Sequence, residues 1–242
     1  CPPVRPAFAV TPKGQQATQF KAPQDEALRL AQQRAALPVA RGGLGLPPNN
    51  TAEQRAAAMG FDTTAYHGTH SDVPVFDRSK NVTAKDIYSS PNPSESGSYA
   101  EGAGGNVMPL LLRGGVKDLT QNSKYVENQL RKAYNAQVQA SERKYYPFEQ
   151  FKDSFMQGQL YQDTGGQSAQ NALVSELIGN KKSILKIPDA VSGAGVGESY
   201  VVANPDNIRS RFAAFDPWRI NAATAAAMGV AAPDLLAEEN KA

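Results

Sequence analysis

The chain has 242 residues, 40% of them hydrophobic and 20% charged, and its Lys+Arg 25 against Asp+Glu 23 leave a formal charge of +2. That is ordinary globular composition, long enough for a substantial core. It excludes several classes: no window approaches the roughly 18–20 consecutive apolar residues of a membrane-spanning helix, a single cysteine rules out an internal disulfide framework or thiolate metal cluster, and the interleaved charge lacks the footprint of a nucleic-acid binder.

In chain order, residues 1–22 hold prolines with many Gln, Thr and Lys and no run able to bury a face, which reads as an extended Pro-rich arm. A chain opening at Cys1 is expected to be a processed product or an excised piece. From Pro23 the stretch PQDEALRLAQQRAAL is built of strong helix formers with acids in its first turn. Thr51-Ala52-Glu53-Gln54 fits a capping box opening a second helix, and Gly60 is placed to end it. Residues 23–60 are thus a helical lead-in.

Beyond Phe61 the apolar residues come in strand-length runs, TAYHGT, VPVF, DIYSS, NVMPLLLR, SILKI and SYVVA, separated by Gly, Pro, Asn and Ser. Between them, residues 124–180 carry helical spacing at Val126, Leu130, Ala133 and Val138, again at Phe148, Phe151 and Phe155, and then in SAQNALVSELIG, predicting three helices. The aromatic cluster of Tyr145, Tyr146, Phe148, Phe151 and Phe155 is expected to pack against the sheet. After Pro217 the Ala-rich residues 218–242 are read as a weakly helical tail. The main domain is therefore placed at 61–217, and the fold class is α+β.

Three segments carry chemistry. Tyr66-His67-Gly68-Thr69 ends a strand with an imidazole beside a backbone lacking a Cβ, so a flat ligand can reach main-chain amides. Alone, such a histidine is commonly just a surface residue. In IYSSPNPSESGSYA a strand runs into a Pro- and Ser-rich turn and a helix start, holding Tyr88 and Tyr99 eleven residues apart. That spacing suits sandwiching a planar ring, and equally suits two tyrosines of a half-buried β element. Gly102–Gly105 lacks the spaced Lys-Ser/Thr of a phosphate loop. Arg113 reads as an exposed strand-end charge, and Arg209 and Arg211 beside Phe212 and Phe215 as a pin for the last strand. With two histidines, His67 and His70, no metal site is expected.

YHGT, IYSSPNPSESGSYA and SYVVANPDNI, in that order, resemble the three signature strands of the ADP-ribosyltransferase superfamily, in its His-Tyr-Glu branch with diphtheria toxin and the poly(ADP-ribose) polymerases. GGNVMPLLLR, NPDNIRSRFAAFDP and NNTAEQRAAAMGFD further resemble the ADP-ribosyltransferase-like domains of large polyvalent proteins of tailed bacteriophages and prophages. The likeness spans roughly residues 24–218.

The resemblance implies that 61–217 is a catalytic domain with a split antiparallel β core and flanking helices, and that NAD is the co-substrate. His67 would bond its ribose, and the Gly68 backbone with Thr69 and Ser96 would hold the nicotinamide carboxamide. Tyr88 and Tyr99 would enclose the ring, and His67, Tyr88 and Glu198 would be the catalytic residues. One position departs from the pattern: where the family places Glu directly before the Tyr-Val-Val strand, this chain has Ser199, with Glu198 one residue earlier. Strand side chains alternate, so that shift turns Glu198 away unless Gly193-Ala194-Gly195-Val196-Gly197 forms a bulge that re-aims it.

The function expected from the resemblance is mono-ADP-ribosylation of a protein acceptor, made by a phage or prophage and directed at a host protein, in the virion or the host cytoplasm. The alternatives are an NAD glycohydrolase and a catalytically weakened NAD-binding or virion module. No membrane and no nucleic-acid partner is expected.

Overall fold

The computed structural model describes residues 13–70, 73, 76, 86–140, 147–159, 167–179, 183–191 and 195–219. Most of the expected arm and tail, the middle two residues of VPVF, Tyr145, Tyr146, Gly193 and Ala194 lie outside the described residues. The elements in order are α1 (Lys13–Ala36), α2 (Ala52–Ala58), β1 (Phe61–Thr69), β2 (Ile87–Ser89), α3 (Pro93–Ser98), β3 (Asn106–Arg113) and β4 (Val116–Asp118). There follow α4 (Lys124–Ala140), α5 (Phe148–Met156), α6 (Gln167–Ile178), β5 (Ile184–Val191), β6 (Gly195–Val202) and β7 (Ile208–Ser210). No helix among the described residues is long and apolar enough to cross a membrane.

The fold is α+β, with two sheets ordered β1-β3-β7 and β2-β6-β5-β4. Their inner faces meet through Ala65, Met108, Leu110, Leu112 and Ile208 on one side and Ile87, Ile184 and Val202 on the other. The far face of the four-stranded sheet carries Leu185, Ile187 and Val201, buried under Leu130 of α4, Phe155 of α5 and Leu173 of α6. The far face of the three-stranded sheet is covered by α2, where Ala56 packs with Phe61, Ala213 and Phe215. Apolar residues on both faces of β5 and β6 follow from this layering, since a strand covered on both sides has no polar face.

Local chemistry fixes the elements. The capping box at α2 is formed: Gln54 N–H donates to Thr51 Oγ1 and Thr51 N–H donates to Gln54 Oε1. Pro109 sits in the middle of β3 opposite Tyr66. A ladder proline is tolerated where its missing N–H faces no partner, and here the Pro109 carbonyl is used instead, by Arg211 N–H at 3.0 Å.

The structure differs from the sequence expectation in four places. The core is not wholly antiparallel, because β4 and β5 pair in parallel; α4, α5 and α6 lie between them in sequence and supply the long crossover a parallel pair requires. Helix α1 begins at Lys13 rather than at Pro23, since the Gln- and Ala-rich residues before Pro23 are themselves good helix formers. The short strands β4 and β7 were not foreseen. Arg113 is only partly exposed: it lies over the Phe61 ring and donates to Asp206 O. Arg209 is buried over the same ring, beside buried Phe215, whereas Phe212 is exposed.

Candidate active site

The two sheets are joined at the end of β1. Tyr66 and Ser90 exchange backbone hydrogen bonds, each 2.8 Å, and there the contact between β1 and the β2 edge stops. In an antiparallel strand, residues two apart aim their N–H and C=O at the same edge. The Gly68 amide groups therefore point where those of Tyr66 point, just past the last pair, into the split between the sheets. Thr69 closes the strand opposite Asn106.

His67 spans that split. Its Nδ1 lies 2.7 Å from Tyr88 O, and because a carbonyl only accepts, Nδ1 carries the proton and Nε2 keeps its lone pair. Burial lowers the imidazole pKa below its ordinary value, against a smaller raising effect of the bond to Tyr88. A neutral ring with a fixed tautomer is thus aimed by β2, its edge against Phe76.

Helix α3 lays the second motif over Gly68. Asn92 caps it, accepting from Ser94 N–H, and Pro93 opens it. A Cβ at position 68 would fall 1.9 Å from Ser96 O and 3.0 Å from Tyr99 Cβ, so only glycine lets α3 come this close. Ser96 is buried and its hydroxyl donates to Tyr66 O at 2.7 Å. Glu95 of the same turn accepts from Ser90 Oγ at 2.6 Å and from Glu198 N–H at 3.4 Å, tying α3 to β6.

The four-stranded sheet supplies the opposite wall. Residues facing each other across a ladder share a side of the sheet, so the pairs Tyr88↔Val201, Ile187↔Ser199 and Asp189↔Gly197 put Tyr88, Ser199 and Asp189 on one face. Ser199 is buried and donates to Asp189 Oδ2 at 2.5 Å, and Tyr99 Oη lies 3.5 Å from the same oxygen. Tyr99 is half exposed; burial, the Asp189 charge and bond, and Glu95 push its phenol up to about 12. Tyr88 is raised further, chiefly by burial and then by Asp86 and Asp189. Its hydroxyl is buried and, among the described residues, has no hydrogen-bond partner.

Glu198 is not part of this group. The β5–β6 register is unbroken from Ile184↔Val202 to Val191↔Gly195, so no bulge re-aims it. It lies on the other face, 2.7 Å from Lys186 Nζ. Burial works against the Lys186 charge, yet the bond to Glu198 and the charges of Asp118 and Glu198 hold its pKa above the ordinary value.

His67, Gly68, Thr69, Tyr88, Ser96, Tyr99 and Ser199 therefore gather around the split, and Glu198 does not. Sequence reading missed Asp189 and Glu95; the only trace in the sequence is an acid near the end of the strand preceding Ser199. Among the described residues no cluster of three or more His, Cys, Asp or Glu is arranged to hold a metal ion. Comparison with protein-family models, with curated proteins and with solved structures finds no match to this chain.

Proposed function

We propose that the chain is an NAD-dependent mono-ADP-ribosyltransferase with an ADP-ribosyltransferase-like fold, moving ADP-ribose from NAD to a protein acceptor with release of nicotinamide. The phage-type phrases in its sequence favour a phage or prophage origin and a host protein as acceptor. The observation that carries the reading is the Gly68 edge, an N–H and a C=O just past the isolated Tyr66–Ser90 bridge, bracketed by a neutral His67 and by Tyr99. A carboxamide is the ligand group that complements such an edge, because it accepts from one N–H and donates to one C=O. His67 Nε2 can take a hydrogen bond from a sugar hydroxyl, and the tyrosines offer a face to a planar ring.

In the transfer, the bond from sugar carbon to pyridine nitrogen breaks with its electron pair going to nicotinamide, which leaves neutral. Positive charge develops on the sugar, a lone pair of the acceptor forms the new bond, and the acceptor's proton passes to solvent. The chain's part is to hold the ring, fix the sugar and set negative charge beside the developing cation.

The test is nicotinamide release from NAD by the full chain, with and without host lysate. Release lost in His67→Ala and in Tyr99→Ala, with labelled ADP-ribose on a lysate protein, is the expected result; release with free ADP-ribose alone would mean a glycohydrolase. A specific observation favours one rival, the binding module without turnover: Glu198 is closed by Lys186 on the face of its sheet that turns toward the three-stranded sheet. NAD binding without release would establish it.

A further inference from the structure

We infer that Asp189, not Glu198, is the carboxylate that meets the positively charged part of the ligand. The inference rests on the ADP-ribosyl transfer reading and deepens it.

Position separates the two acids. Glu198 faces away from Tyr88 and is neutralised by Lys186. Asp189 shares a face with Tyr88 and Ser199, and both of its hydrogen bonds use Oδ2. Among the described residues Oδ1 thus has no partner and Asp189 forms no ion pair.

A second carboxylate strengthens the field. A Cβ on Gly197, the residue directly opposite Asp189, would fall 2.7 Å from the Glu95 carboxyl carbon, so Glu95 lies on the same side of the sheet. Glu95 is committed to Ser90 and the Glu198 N–H and serves as background charge. Two half-buried carboxylates with no cation beside them among the described residues select a positive guest.

An independent observation points to a ligand at this spot. Among the described residues the buried Tyr88 hydroxyl has no hydrogen-bond partner, and a buried polar group without a hydrogen bond is costly enough to be rare. It lies within the electrostatic reach of Asp189. The backbone of Asp189 is also braced: Gly158, just past α5, accepts from Ala190 N–H at 3.2 Å and approaches so closely that a Cβ there would lie 2.5 Å from Asp189 C. A surface aspartate has no need of such a support.

Binding and chemistry test this separately. NADH carries a neutral ring, whereas carba-NAD, with a methylene in place of the sugar ring oxygen, keeps the pyridinium charge and resists cleavage. With the full chain, Asp189→Asn is expected to lower nicotinamide release about 10²–10³-fold, the usual cost of one preorganised electrostatic group. It should weaken carba-NAD about tenfold and NADH less than about twofold, since only carba-NAD carries the pyridinium charge that Asp189 would meet. Asp189→Glu, which keeps the charge, should restore the preference for the cationic ligand.

Equal weakening of both ligands, unchanged release in Asp189→Asn, or loss of release in Glu198→Gln with Asp189→Asn unaffected would overturn the assignment. An Asp189-dependent preference without any release from wild type would uphold Asp189 and overturn the transfer reading. Binding of neither ligand by wild type would overturn both.

Discussion

The two faces of the β5–β6 pair treat their acids in opposite ways. On the side toward the three-stranded sheet, Glu198 sits with Lys186 and behind it Asp118, a short run of alternating charge. On the side toward the helices, Asp189 has a serine, a tyrosine and a neighbouring glutamate, and among the described residues no cation. A charge that is paired at once is structural, whereas one supplied only with neutral donors is left with its field directed outward. Availability of a carboxylate is therefore set by what stands across the ladder, and sequence proximity to a motif is a poor guide to it.

The sharpest way to break the comparison is to disturb the brace behind the helix-side face. Gly158 has φ +69, and a Cβ there would lie 2.2 Å from Ala190 N. Gly158→Ala combines left-handed strain with overpacking against β5 and is expected to destabilise the fold by about 2–5 kcal/mol, read from urea midpoints. A loss under about 1 kcal/mol, within the range of ordinary surface substitutions, would mean that α5 does not hold Asp189 in place.

Next in size is the effect of the open charge on its neighbour. Tyr99 titrates at about 12, raised by burial first and then by Asp189 and Glu95. A negative neighbour disfavours the phenolate, so Asp189→Asn should move the Tyr99 transition down toward the ordinary tyrosine value of about 10, with Tyr99→Phe identifying the transition in an alkaline absorbance titration. An unmoved transition would mean that Asp189 does not face Tyr99.

Much of this was legible in the sequence, and the reasons are local. Asn92-Pro93 marks a helix start and Thr51 with Gln54 closes a capping box, both read from side chains that bond within a few residues. The period of two along β6 turns Glu198 away unless the glycines before it form a bulge; the register carries none, so the acid expected to be catalytic lies on the other face. Asp189 was invisible because its approach to Ser199 depends on the register of β5 against β6, a long-range quantity that no spacing encodes. The same is true of the parallel β4–β5 pair and of β7, whose three residues are too few for an alternation signal. Gly158 looked like any turn glycine; only the tertiary contact distinguishes it.

A smaller effect belongs to His67. Its pKa is lowered by burial, so the unfolded chain binds a proton more readily than the folded one. The stability from this group is complete above the ordinary imidazole value of about 6.5 and is lost as pH falls below it. His67→Gln should flatten the acid side of the stability profile between pH 7 and 5 while leaving the alkaline side alone. A profile unchanged by the substitution would place the imidazole in water, away from Tyr88 O.

The smallest effect is expected on the closed face. Lys186→Ala leaves Glu198 without its partner, but the Glu198 side chain is 38% exposed and water can take over its solvation. Exposed pairs are typically worth about 0–1 kcal/mol, so the variant should lose no more than that and should become less sensitive to salt than wild type. A loss of several kcal/mol would show that Glu198 is held as a buried charge. The two faces would then no longer differ in kind, and Asp189 would be set apart only by its Oδ1 and the Tyr88 hydroxyl, neither of which has a partner among the described residues.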